Sequence, residues 1–183
     1  MKLKNVKLKT YIALCLALVC LTAFASCKEK TPQGVGPDGA LDALILQIYA
    51  GVEGEEWLSD LPAPAKVVLE NDSQAQYRFG LKLSEANEGI EEAYVSCPDI
   101  QPSTYELSLI RVKEGVDADE LARKMLKGTD LMKWVCTGAQ NAGAAVCGDL
   151  ILLVTGTNDR INKLYASFAE ICGEGVSDLR MKN

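Results

Sequence analysis

A basic head, an apolar run and a cysteine at its end set the first 39 residues of this chain apart and so constrain what the remainder can fold into. Lys2, Lys4, Lys7 and Lys9 precede the run Tyr11 to Ala25, and no acidic residue stands among the first 26 positions. The run has the length of a signal h-region and falls short of the ~20 apolar residues that carry a helix across a bilayer. Small residues then lead to Cys27 in Leu21-Thr22-Ala23-Phe24-Ala25-Ser26-Cys27. The pattern predicts a lipoprotein signal peptide over 1–26, cut between Ser26 and Cys27. Cys27 then carries an S-diacylglyceryl group, often joined by an amide-linked acyl chain of the palmitate type. Ala23-Phe24-Ala25 is also an A-x-A site that would release the chain before Ser26, and an uncleaved anchor is the third alternative. The polar, Gly/Pro-containing spacer after Cys27 favours lipidation. One acyl chain holds a protein only marginally, whereas two or three hold it stably.

Charge supports a body that stands away from the membrane surface. The chain has 19 basic and 25 acidic residues. Without the four leader lysines 15 basic residues face 25 acidic ones, a net charge near −10. Such a surface disfavours nucleic acid and anionic headgroups. The expected membrane contact is therefore the lipid on Cys27, with the domain on the extracytoplasmic face of the cell membrane. Residues 27–39 read as the lipidated cysteine and a flexible linker, because Gly and Pro recur there and only Val35 could join a core. Gly34-Val35-Gly36 has no preceding strand and no Lys-Ser/Thr ending, so it is not a phosphate loop. Residues 40–183 are long enough for a single domain with its own core.

Within that domain Leu41, Leu44, Ile45 and Ile48 recur at helical spacing and predict a helix over about 41–51, capped by Asp38. An acidic loop around Trp57 follows, and 65–69 reads as a short strand. Strict alternation of Ala75, Tyr77, Phe79, Leu81 and Leu83 with polar neighbours or Gly80 predicts a strand over 75–83. Further strands are expected over 91–97 and 104–113, the latter apolar on both faces as in a central strand. Asp117 caps a helix to about Lys127, and the Asp117-x-Asp119 pair is helix-end charge rather than a cation site. Lys133 to Thr155 reads as a meander of three short strands, with turns at Asn141-Ala142 and Gly148-Asp149. A last helix spans about 158–172, capped by Thr157 or Asn158, and the final residues are expected to fray. Together these elements predict an α+β domain: an antiparallel sheet of about five or six strands, with about three helices packed mainly on one face.

The segments Tyr105-Glu-Leu-Ser-Leu-Ile-Arg-Val-Lys-Glu-Gly-Val-Asp-Ala-Asp-Glu-Leu-Ala, Lys133-Trp-Val-Cys136, Gly148-Asp-Leu-Ile-Leu-Leu-Val154 and Tyr77-Arg-Phe-Gly-Leu81, with the leader and its cysteine, resemble one known family. It is the bacterial lipoprotein family called domain of unknown function 4358. The resemblance covers most of the chain after the linker, with Lys-Trp-aliphatic-Cys its most distinctive piece. It implies a lipid-anchored domain outside the membrane and brings no ligand, cofactor or catalytic residue.

Chemistry must then be read from the residues. The chain contains no histidine, which removes Ser-His-Asp and Cys-His nucleophiles and His-containing metal sites. No serine is followed three places later by lysine. Glu55-Glu56 and Glu91-Glu92 read as solvated charge pairs, since neighbours on a strand point to opposite faces while a glycosidase needs two carboxylates across a cleft. Cys97, Cys136, Cys147 and Cys172 contain no C-x-x-C and no zinc knuckle. If a turn at Asn141-Ala142 sets the register, Cys136 and Cys147 face each other and are the candidate disulfide outside the cytoplasm; buried free thiols are the alternative. Lys133 and Trp134 are the candidate ligand contacts, an aromatic with a neighbouring cation, set against a core Trp with a wet Lys. No metal, cofactor or catalytic residue is assigned. The expected function is a non-catalytic binding or interaction module at the bacterial cell surface, meeting an unknown protein or envelope partner. The alternative is a cell-envelope enzyme, a hydrolase or thiol-redox catalyst.

Overall fold

Asn71 decides the first departure from these expectations. The computed structural model describes residues 34–52, 54–59, 61–99, 103–134 and 137–182, so Ser26, Cys27 and Cys136 lie outside the described residues. Helix α1 is Leu41–Ala50; its N-cap is Ala40, with no side-chain cap, rather than Asp38. The segment expected as a strand over 75–83 is instead the helix α2, Asp72–Phe79, followed by α3, Leu83–Gly89. Asn71 Oδ1 accepts a 2.9 Å hydrogen bond from the Gln74 amide and starts α2. Gly80, at φ 66°, ends it in the left-handed conformation. Ala75 and Phe79 lie four apart and are the buried residues of α2, so the same apolar residues serve a helical stripe as well as a strand face.

The strands are β1 Ala65–Lys66, β2 Ile90–Ser96, β3 Glu106–Val112, β4 Asn141–Cys147, β5 Leu150–Gly156 and β6 Arg180–Met181. They form one sheet in the order β1-β2-β3-β5-β4-β6, each pair antiparallel. The expected α+β class, antiparallel sheet and strand number therefore hold. Helix α4 is Ala118–Gly128, with Asp117 accepting from the Glu120 amide at 3.0 Å. Helix α5 is Asn158–Cys172, capped by the Thr157 hydroxyl. The expected meander is only partly formed. Gly148-Asp149 turns the β4–β5 hairpin, with Cys147 opposite Leu150 and Gly148 at φ 59°. Asn141-Ala142 is not a turn but the start of continuous β4, and the first strand is reduced to the bridge Trp134–Thr137. The chain end, expected to fray, supplies β6 instead.

The helices occupy both faces of the sheet, five among the described residues rather than about three on one face. β3 shows why: Ile110 and Val112 pack in the core beneath α2, α3 and α4, while Leu107 and Leu109 join a second core with α1 and α5. β5 alternates likewise, with Ile151 and Leu153 on the first side and Leu150, Leu152 and Val154 on the second. A sheet whose central strands are apolar on both faces has to be covered twice. No helix among the described residues is long and apolar enough to cross a membrane.

Candidate binding surface around Arg78 and Lys133

The β2–β3 register carries charge to one end of the sheet. Val95 pairs with Ser108 and Ser96 with Leu107, so the next positions in that register are Cys97 and Glu106. Both follow the parity of the face covered by α2 and α4. Glu106 is buried at the first residue of β3, where its carboxylate meets cations from two other segments. Arg78, on the last turn of α2, places Nη1 2.6 Å from Glu106 Oε2. Lys133, after α4, places Nζ 2.8 Å from Oε1. The Lys133 and Glu106 side chains are 3% and 4% exposed, so this is a buried ion pair, while Arg78 is 31% exposed. Lys133 also donates to the Tyr77 carbonyl at 3.0 Å. Its Nζ lies 4.7 Å from the centre of the Tyr77 ring and 4.9 Å from that of Trp134.

Arg78 continues outward. Its guanidinium stabilises the charged form of the Cys97 thiol electrostatically and lies 5.3 Å from the Tyr77 ring centre. Burial raises the Cys97 thiol pKa and Glu106 adds to the rise, against the pull of Arg78 and Lys133; the thiol stays protonated near neutrality. Burial, then Glu106, likewise raises Tyr77. Tyr77 keeps 40% of its surface exposed. Beside Arg78 an open groove of about 270 Å³ runs between the β1 segment and α2, past Lys66, Val68 and Gln74. Two cations share one carboxylate here, leaving one positive charge in excess beneath an exposed aromatic ring, on a chain that is otherwise acidic.

The opposite face at the same sheet end is aromatic. Tyr105, one residue before Glu106, places its hydroxyl 2.9 Å from that of Tyr49 on α1. Its ring centre lies 5.0 Å from that of Trp57, and Arg160 covers the Trp57 ring at 4.9 Å. Burial, reinforced by Tyr49, lifts the Tyr105 hydroxyl well above the usual tyrosine range. Trp57 donates to Glu55 at 3.0 Å. Lys163 approaches Glu55 at 2.7 Å and holds its carboxyl below the ordinary carboxylate range.

Of the residues singled out in the sequence, Lys133 and Trp134 do come together, but inward. Trp134 is 7% exposed and packs as core. Lys133 is not its wet neighbour, because Glu106 recruits the ammonium into the interior. The partly exposed members of the cluster are Tyr77, Arg78 and Cys97, which sequence reasoning missed because Tyr77 and Arg78 were assigned to a strand. Glu106 was the available signal: a carboxylate opening a strand that is otherwise apolar on both faces needs a buried cation. The expected doublets are not simply solvated, since Glu55 binds Lys163 and Glu92 binds Arg111 at 3.2 Å.

The candidate disulfide loses its geometric basis. Cys136 lies outside the described residues, the turn at Asn141-Ala142 that would pair it with Cys147 does not form, and Cys147 instead packs in one core with Cys172. Among the described residues no three His, Cys, Asp or Glu side chains are grouped so as to hold a metal ion. Comparison of the chain with protein-family models, curated proteins and solved structures gave no match.

Proposed function

We propose that this chain is a lipid-anchored extracytoplasmic module that binds a partner through the Tyr77–Arg78 surface and performs no chemistry of its own. The observation that carries the reading is the charge of the cluster. Glu106 neutralises one of Arg78 and Lys133, and the surplus positive charge sits at the partly exposed guanidinium beside an exposed tyrosine. A planar guanidinium next to an aromatic face suits a carboxylate or another anionic group on an envelope component or a surface protein. The leader supports the location: a basic head, a short apolar run and small residues before Cys27. The resemblance to a lipoprotein family agrees with it.

Thiol catalysis at Cys97 is the less favoured reading. A nucleophilic cysteine needs its pKa depressed, and burial and Glu106 act in the opposite sense. Two measurements test the proposal. Mass spectrometry of the mature N-terminus is expected to find an acylated Cys27, and a free Ser26 start overturns the anchor. Crosslinking on intact cells is expected to capture a partner with the wild-type chain and to lose it with Arg78→Gln. Equal capture by the two overturns the assigned surface.

A further inference from the structure

Two thiols, Cys147 and Cys172, lie where the C-terminal segment straps the sheet. Cys147 is the last residue of β4 and Cys172 the last of α5. A single 3-10 turn, Gly173–Gly175, leads from Cys172 to Val176, which bridges back to Cys147 in antiparallel fashion. The Ser177 amide donates to the Val146 carbonyl at 2.7 Å, and the Val146 amide to the Ser177 hydroxyl at 2.9 Å. β6 then pairs Arg180 and Met181 with Ala144 and Gly143. These contacts pin the end of α5 over the end of β4 independently of the sulfurs. Cys147 belongs to the core shared by α1 and α5 and Cys172 packs against it, near enough for each thiol to perturb the other's titration.

We propose that Cys147 and Cys172 are an oxidisable pair, a disulfide site that fastens α5 and the C-terminal strap to strand β4. The oxidant is a disulfide, either of a small thiol or of an oxidoreductase. Cys172 is partly accessible while Cys147 is buried, so Cys172 is the entry point. Burial raises the pKa of both thiols, so the exchange is slow at neutral pH and runs through the small thiolate fraction. Cys172 gives its proton to solvent and attacks one sulfur of the oxidant, forming a mixed disulfide and expelling the first thiolate. The Cys147 thiolate then attacks the Cys172 sulfur, closing the bridge and expelling the second. The chain loses two hydrogens, and the oxidant gains two electrons and two protons to become two thiols. The structural consequence follows from β4: without the strap its outer edge would offer unpaired backbone groups to other chains, and the bridge ties down the segment that covers it. This inference does not depend on the lipid anchor or on the Arg78 surface, because it requires only contact with an oxidant.

The test uses the full chain in detergent, equilibrated in buffers of oxidised and reduced glutathione, quenched by alkylation and mapped by fragmentation mass spectrometry. The expected product links Cys147 to Cys172 with loss of two hydrogens and leaves Cys97 alkylated. Adding reductant to the oxidised wild-type chain is expected to lower its Tm by roughly 5–10 °C, as for loops of this size. Cys147→Ala and Cys172→Ala are each expected to abolish both the link and the response to reductant. Should either variant fail to fold, the wild-type map and its response to reductant decide alone. Full alkylation of both cysteines in the most oxidising buffer overturns the proposal, as does a bridge from Cys147 to Cys136.

Discussion

Lys133 Nζ stands 2.8 Å from Glu106 Oε1, both side chains almost wholly withdrawn from solvent, at the point where β3 enters the sheet. An ion pair in that position is costly to break, because the surviving partner is left charged in a poorly solvated site. Glu106→Gln strands the buried Lys133 ammonium and is therefore expected to destabilise the domain by about 3–5 kcal/mol, whereas Lys133→Met, which leaves Glu106 its Arg78 partner at 2.6 Å, is expected to cost less. The double variant Lys133→Met/Glu106→Gln removes both charges and is expected to cost at least about 1.5 kcal/mol less than the sum of the singles. Urea unfolding of the four proteins measures this; strict additivity would show that the two groups do not act as a pair.

Tyr105 and Tyr49 make the alkaline limit of stability predictable. Burial lifts the folded-state pKa of Tyr105 well above the ordinary tyrosine value, whereas in the unfolded chain it titrates near ~10. A group raised in the folded state contributes its full stability below the unfolded pKa and loses it as pH climbs beyond that value. Stability should thus hold to about pH 10 and fall steeply above it. Tyr105→Phe removes the hydroxyl paired to Tyr49 at 2.9 Å. It is expected to cost about 1 kcal/mol at pH 7 and to flatten the fall above pH 10. Thermal melts across pH 7 to 11.5 check both effects, and an unchanged alkaline slope would remove Tyr105 from the explanation.

The helix α2 marks the limit of what the sequence makes legible. Strands β2 to β5, helices α1, α4 and α5, and the Gly148-Asp149 turn follow from periodicity and turn chemistry, since long segments with one clear repeat admit one structure. Ala75 to Leu83 satisfies two periods at once, because Ala75 and Phe79 are equally well spaced for a helix. What decides between them is local: Asn71 captures the Gln74 amide and Gly80 supplies the left-handed exit. The Arg78–Glu106–Lys133 cluster was hidden for the same reason. Its members come from three segments whose meeting depends on that helix, and a lysine next to a tryptophan gives no sign of which of the two is buried.

Replacing Asn71 tests that account. Asn71→Ala deletes the cap of α2 and should cost about 1 kcal/mol, while Asn71→Asp, which keeps an acceptor, should cost little. Because α2 carries Tyr77 and Arg78, amide hydrogen exchange in 72–79 is expected to rise in Asn71→Ala ahead of global unfolding. Exchange that rises uniformly across the domain would show that the cap does not act locally.

Gly128, the last residue of α4, meets Gly80 where α2 ends. A Cβ built on Gly128 would strike the Gly80 carbonyl, and one built on Gly80 would strike the Gly128 backbone, so neither clash can be relieved by turning a side chain. Gly128→Ala is expected to destabilise by about 1–3 kcal/mol, the usual cost of overpacking. The contact also positions the site, because Gln76 of α2 donates to the Gly128 carbonyl at 3.0 Å and Lys133 leaves α4 only a few residues further on. Gly128→Ala should therefore make the Cys97 thiol more reactive toward a neutral alkylating agent, by loosening Arg78 and Tyr77 around it. A variant that loses stability while the Cys97 alkylation rate stays at the wild-type value would show that the two helix ends pack together without holding the charged cluster in place.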